Sequence, residues 1–116
     1  MFNLSRRDIL RGNNDFNAVH NGGKSFANHA LVILVFSGDE RLNGKVGFAA
    51  GKRLGGAVVR NRVKRLMREA YRLNKNSLRG DFAMILVGRQ FLTTAKFKDA
   101  EKAFLSLCKR AQLLKP

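Results

Sequence analysis

The chain has 116 residues, 45% of them hydrophobic, and sets 23 Lys and Arg against 8 acids for a formal charge of +15. That length fits a single domain with a core of its own, free of metals and disulfides, and the apolar fraction excludes a disordered chain. Charge this lopsided repels itself, so the folded chain is expected to meet a polyanion, with nucleic acid the first candidate and an anionic membrane surface the second.

The longest apolar run, Ala30 to Phe36, has seven residues, far short of the ~20 that span a bilayer. The N-terminal MFNLSRRDILRG contains no apolar stretch of the signal-peptide kind. The one cysteine, Cys108, has no partner for an internal disulfide, which fits a reducing cytoplasm. It falls in an apolar helical stripe and is read as a small core residue. The only proline is Pro116, so no Pro-rich linker divides the chain. One domain over 1–116 is expected, with 1–8 and 112–116 as flexible ends.

In chain order, NNDFNAVH (13–20) reads as a short helix capped by Asn13 or Asn14, with Phe16 and Val19 on one side. Glycines in NGGK are expected to end it with φ > 0. SFANHALVILVF (25–36) reads as a strand interrupted near Asn28–His29, or as two strands. SGDERLNGK is a polar turn, and VGFAAG (46–51) a strand with Val46, Phe48 and Ala50 on one face and small Gly47 and Ala49 on the other, open to close packing by a helix. After the basic loop KRLGG comes a long helix from Ala57 to Leu73. A buried strand, FAMILVG (82–88), follows, and the final helix runs from TTAKF onward, capped by Thr93 or Thr94, with Phe97, Ala100, Phe104, Leu107, Cys108 and Ala111 as its stripe. One sheet with helices packed on it accounts for this order.

No constellation for independent catalysis is visible. The chain has two histidines, His20 and His29, dispersed acids, and no HExxH, paired-cysteine or GxSxG pattern. GGKS at 22–25 resembles part of a phosphate loop, but the leading glycine would fall at Ala18. No catalytic or metal-ligating residue is assigned.

The helix AVVRNRVKRLMREAYR (57–72) carries the strongest signal. At 100° per residue, Val59, Val63, Leu66, Met67, Ala70 and Leu73 form a core stripe. Asn61, Lys64, Arg65, Arg68 and Arg72 cluster opposite, with Arg60 and Arg62 on the flanks. Glu69, the one acid, is near enough to orient Arg65 or Arg72. Lys52 and Arg53 in the entering loop extend the patch, giving eight cations and one anion over 52–72. A solvated helix mixes signs; this one is Arg-rich on one face, and the Arg fork suits phosphate and stacks on bases.

GKRLGGAVVRNRVKRLMREAYR resembles the signature of the bacterial ribonuclease P protein component, an R-N-R-x-K-R-x-x-R helix after a K-K/R-x-G loop. Arg60, Asn61, Arg62, Lys64, Arg65 and Arg68 match it. DFNAVHNGGKSFAN, KVGFAAGKR and GDFAMILVGR are similar to further segments of that family, so about Asp15 to Arg110 can be laid on it. The resemblance implies an α+β fold: a two-layer α–β sandwich like domain 2 of ribosomal protein S5. Its four-stranded mixed sheet and three helices follow the order α-β-β-β-α-β-α, with a left-handed βαβ crossover that general rules would not supply.

It also implies the small subunit of a ribonucleoprotein endoribonuclease that removes the 5′ leader of precursor tRNA. The hydrolase chemistry would belong to the RNA subunit, whose Mg²⁺ activates the attacking water. The implied partners are the catalytic RNA, in a 1:1 complex with a monomeric protein, and precursor tRNA, with no membrane and no small-molecule substrate. By position, Lys52, Arg53, Arg60, Asn61, Arg62, Lys64, Arg65, Arg68 and Arg72 become RNA contacts. Phe16, His20, Leu34, Phe48 and Arg68 become a cleft for the single-stranded leader, where stacking would tolerate any base. His20 and Leu34 stand where the family often has aromatics, and Gly56 replaces a frequent Asn cap. The competing readings are a structural ribosomal or other non-enzymatic RNA-binding protein, and a stand-alone nuclease, which the missing constellation disfavours.

Overall fold

The computed structural model describes residues 4–116. Its main elements are α1 (Gly12–Gly22), β1 (Lys24–Ala27), β2 (Leu31–Phe36), β3 (Val46–Ala50), α2 (Ala57–Asn74), β4 (Ala83–Gly88) and α3 (Phe97–Arg110), in the expected order. The strands form one sheet in the order β1-β2-β4-β3. β1–β2 and β2–β4 pair antiparallel, and β3–β4 parallel. A parallel pair cannot be joined by a tight turn, and α2 makes the crossover.

Each face of the sheet is covered differently, which follows from strand parity. Leu31, Ile33, Val46, Met84 and Leu86 point to one side, where they meet Val63, Met67, Ala70 and Tyr71 of α2 and Phe104, Leu107 and Cys108 of α3. Ala83 and Ile85 point to the other, against Leu10 and Val19, with Phe16, Leu34, Phe36 and Val87 around them. Gly88 lets α2 approach the first face: a Cβ there would stand 2.4 Å from Val63 Cγ1. Gly47 lies beneath Leu10 and Phe16 on the second face, as its small size suggests.

The segment 25–36 resolves into two strands because Asn28 builds the turn between them. Its Oδ1 accepts from the N–H groups of Ala30 (2.9 Å) and Leu31 (3.1 Å), and its Nδ2 donates to the Ala103 carbonyl of α3 (3.0 Å). Gly55, at φ +139°, turns the chain into α2 through a conformation that side chains disfavour.

Several local expectations are corrected. α1 opens at Arg11 with no side-chain cap. Gly23 ends that helix in extended backbone, not at positive φ. Its small size matters instead, since a Cβ would sit 2.6 Å from the Val19 carbonyl oxygen. α3 begins at Phe97 behind Lys96, because Gln90–Thr93 forms a separate 3-10 turn closed by Thr93 Oγ1 donating to the Gln90 carbonyl. On α2, Tyr71 is buried where the stripe omitted it, and Leu73 is 38% exposed.

Where described, both ends make contacts with the body of the fold. Asp8 pairs with Lys75 at 3.0 Å. Leu113 is buried, Leu114 bridges Leu78, and the Lys115 N–H donates to the Ser77 carbonyl. Residues 1–3 lie outside the described part of the chain.

Candidate nucleic-acid interface

α2 positions the basic side chains because its opposite stripe is committed to the core. Val63, Met67, Ala70 and Tyr71 are buried, which turns Asn61, Lys64, Arg65 and Arg68 outward around one concavity of about 310 Å³ with no acid in its lining. Lys52 and Arg53, exposed in a 3-10 turn after β3, extend this cationic surface. The core provides the platform and the repulsion is left to be relieved by an anion.

Within the patch the structure separates side chains that periodicity had pooled. Arg62 is engaged by the protein itself: one Nη donates to the carbonyls of Leu92 and Thr93 (3.1 Å each) and the other to Ala95 (2.6 Å). It fastens α2 to the loop before α3, so its guanidinium is a strut where a phosphate contact was expected. Arg72 is held by Glu69, with Nε 2.7 Å from Oε2. That hydrogen bond draws the Glu69 carboxyl below its ordinary pKa, and the pair is locally neutral. Arg60 lies nearly in line with Met67 and Tyr71 rather than on a flank, half-buried, and its Nε is buried without an acceptor. An orphaned charged donor is costly, and its burial keeps this nitrogen out of direct reach of an external ligand.

The aromatic residues do not form one cleft. Phe16, His20 and Leu34 lie on the α1 side of the sheet, the rings of Phe16 and His20 stacked at 6.4 Å and 19°. Phe48 faces the other side, its ring 6.1 Å from Tyr71 and edge-on to it, with the Arg68 guanidinium 5.6 Å from its centroid. Strand parity is the reason: Phe48 shares a face with Val46 and Ala50, while Gly47 and Ala49 face α1. Phe48 and Arg68 therefore support the α2 surface, and β3, the edge strand, divides them from Phe16.

Pairing register supplies what the strands alone did not reveal. Leu34, Ile85 and Gly47 form a row across the sheet that Phe16 and Leu10 cover; the next row, Val32, Val87 and Ala49, is half-open. A shallow apolar floor thus runs beside a wall of Phe16 and His20. Val32, Val87 and Ala49 could have been found only by knowing which strands neighbour which. Leu66 packs against the core as periodicity assigned it, and its outer side lines a groove of about 350 Å³ with Phe97 and the exposed Leu73.

Other candidates are inert. Cys108 is fully buried and burial pushes its thiol pKa up to about 12, which keeps it protonated and unreactive. His29 is exposed and meets Phe91 edge-on at 4.6 Å. Among the described residues no three His, Cys, Asp or Glu side chains converge as metal ligands would, and no helix is long and apolar enough to cross a membrane.

Known proteins resemble this chain in sequence and fold. The family model described as Ribonuclease P matches residues 4–112. The ribonuclease P protein component of Alkaliphilus oremlandii is 39% identical over 105 residues, covering 90% of this chain and 91% of that one. The component of Clostridium perfringens is 40% identical over 111 residues, covering 90% and 88%. Among solved structures, the RNase P protein of Thermotoga maritima superposes with a TM-score of 0.76 at 29% identity, over 90% of this chain and 97% of that one. The RNase P protein of Staphylococcus aureus reaches a TM-score of 0.81 at 24% identity, over 93% and 98%, a likeness of fold. A matching family model over nearly the whole sequence, relatives near 40% identity and a common fold establish that the chain belongs to the ribonuclease P protein family.

Proposed function

We propose that the chain is the protein subunit of ribonuclease P, the ribonucleoprotein that cleaves the 5′ leader from precursor tRNA, and that it binds RNA while the RNA subunit does the chemistry. The observation that carries this reading is the acid-free concavity of Asn61, Lys64, Arg65 and Arg68 on α2; family membership supports it. Lys64, Arg65 and Arg68 each neutralise phosphate and release counterions on binding. Arg65 and Arg68 add the bidentate geometry that Lys lacks.

Among the described residues no group of three or more His, Cys, Asp or Glu side chains gathers as metal ligands. On the family resemblance Mg²⁺ is assigned mainly to the RNA subunit, and the protein's share is electrostatic. By lowering repulsion between RNA subunit and substrate, it reduces the Mg²⁺ that cleavage requires. The Phe16–His20 wall and its apolar floor suit stacking by a single-stranded leader of any sequence. One protein would act with one RNA, in the cytoplasm.

Reconstitution with a bacterial ribonuclease P RNA and a precursor tRNA tests the reading. The protein should raise correct 5′-leader cleavage at low millimolar Mg²⁺ and show no cleavage without the RNA. Cleavage no faster than that of RNA alone would refute it.

A further inference from the structure

The N-terminal segment carries Arg6, Arg7 and Arg11, which neither the α2 surface nor the aromatic wall uses. With Lys45 they line one concavity of about 250 Å³. The segment is fixed there: the Leu10 N–H donates to the Val46 carbonyl at 2.9 Å, and Ile9 bridges Val46 in parallel alongside the edge strand β3.

Its one acid is already committed. Asp8 accepts from the Ser5 N–H at 2.9 Å and lies 3.0 Å from Lys75 Nζ, and it does not line the concavity. Partial burial pushes its carboxyl pKa up, but the bonds from Ser5 and Lys75 outweigh that and leave it below the ordinary value. None of the four cations takes part in the ion pairs found among the described residues. Four like charges on pinned backbone with no counter-charge make a place for an anion.

Its position indicates which anion. Arg11 directly precedes α1, on which Phe16 stands little more than a turn later. Leu10 and Phe16 also lie over the same point of the sheet, each with an atom 3.4 Å from where a Gly47 Cβ would be. The basic concavity and the aromatic wall are therefore linked through the start of α1, and the segment that carries Arg6 and Arg7 runs along the edge of β3, with Ile9 packed on the α2 side of the sheet and Leu10 on the α1 side. We propose that Arg6, Arg7, Arg11 and Lys45 form a second phosphate-binding site, which holds the sugar–phosphate backbone of the single-stranded leader as it passes Phe16. This rests on the ribonuclease P reading. The two parts divide the work: bases stack on the wall, and phosphates meet the arginines, so neither depends on leader sequence.

The test is Arg7→Gln with Arg11→Gln in the reconstituted holoenzyme, titrated with mature tRNA and with precursors whose leaders lengthen stepwise. Loss of affinity should be absent for mature tRNA, grow with leader length and then level off. For the long leader, the salt exponent of binding should fall by about 1.4, two single-strand phosphate contacts at ~0.7 each. Affinity for the RNA subunit should not change. An equal loss for mature tRNA and all leaders, or a loss confined to binding of the RNA subunit, would overturn the site. Failure of the unaltered protein to stimulate cleavage would instead refute the ribonuclease P reading, so the two failures are distinguishable.

Discussion

Replacing Arg62 with Ala distinguishes a strut from an RNA contact. The side chain gives three hydrogen bonds to the Leu92, Thr93 and Ala95 carbonyls. Hydrogen bonds from a charged donor are worth ~1.5–3 kcal/mol each. Their sum is not additive, and the site is only partly buried, so water can reach carbonyls left behind. A net loss of ~2–4 kcal/mol is expected, a fall in Tm of roughly 8–16 °C for a domain of this size. Urea unfolding and RNA binding would be measured on the same protein below its transition. Arg62→Ala should lower the denaturation midpoint and leave the salt dependence of RNA-subunit binding unchanged. Lys64→Ala should do the opposite, with the midpoint held and the exponent reduced by ~0.7–0.9. Arg62→Lys, a point charge that cannot span three carbonyls, should recover only part of the stability. A midpoint unmoved in Arg62→Ala, together with a flatter salt dependence, would refute the strut and restore Arg62 to the interface.

Three further outcomes follow from the same geometry. Gly88→Ala places a methyl 2.4 Å from Val63 Cγ1 and should cost ~1–3 kcal/mol by forcing α2 off the sheet, read as a lower urea midpoint; pairing it with Val63→Ala should restore part of the loss. His20→Ala removes the outer ring of the Phe16 stack and should weaken precursor binding by up to ~1–3 kcal/mol if one base stacks there, with mature tRNA unaffected in the same titration. Burial raises Tyr71 from 10.0 to about 12 and Cys108 from 9.0 to about 12. Both groups then stay protonated in the folded state while the unfolded chain loses protons. Their contribution is complete below pH 9 and is lost as pH rises toward 12, at ~1.4 kcal/mol per unit for each group. Since the chain has one tyrosine, its ultraviolet titration should follow alkaline unfolding; ionisation of Tyr71 near pH 10 in folded protein would contradict this.

Element order and the basic helix were legible in the residues because each rests on local periodicity. The α2 stripe at 3.6 and the β3 alternation at 2 need no partner to be read. The resemblance in Arg60–Arg68 added the identity of the anion, which charge alone leaves open. Errors clustered at ends and caps: α3 starts later than its Thr residues suggested because Thr93 serves a turn of its own, and Arg11 opens α1 where Asn13 or Asn14 was expected.

What the sequence determined by itself was which side chains exist on which face of each element, together with a charge that requires a polyanion. Tertiary structure alone decided what those faces meet. The register of β2, β4 and β3 put Phe16, His20 and Leu34 on one side of the sheet and Phe48 with Arg68 on the other. The loop before α3 occupied Arg62 with three carbonyls, and the pairing of Leu10 with Val46 brought Arg6, Arg7 and Arg11 to Lys45. Such contacts join residues distant in sequence. A guanidinium binds a carbonyl or a phosphate by the same fork, so which acceptor it takes depends on which one the fold brings within reach.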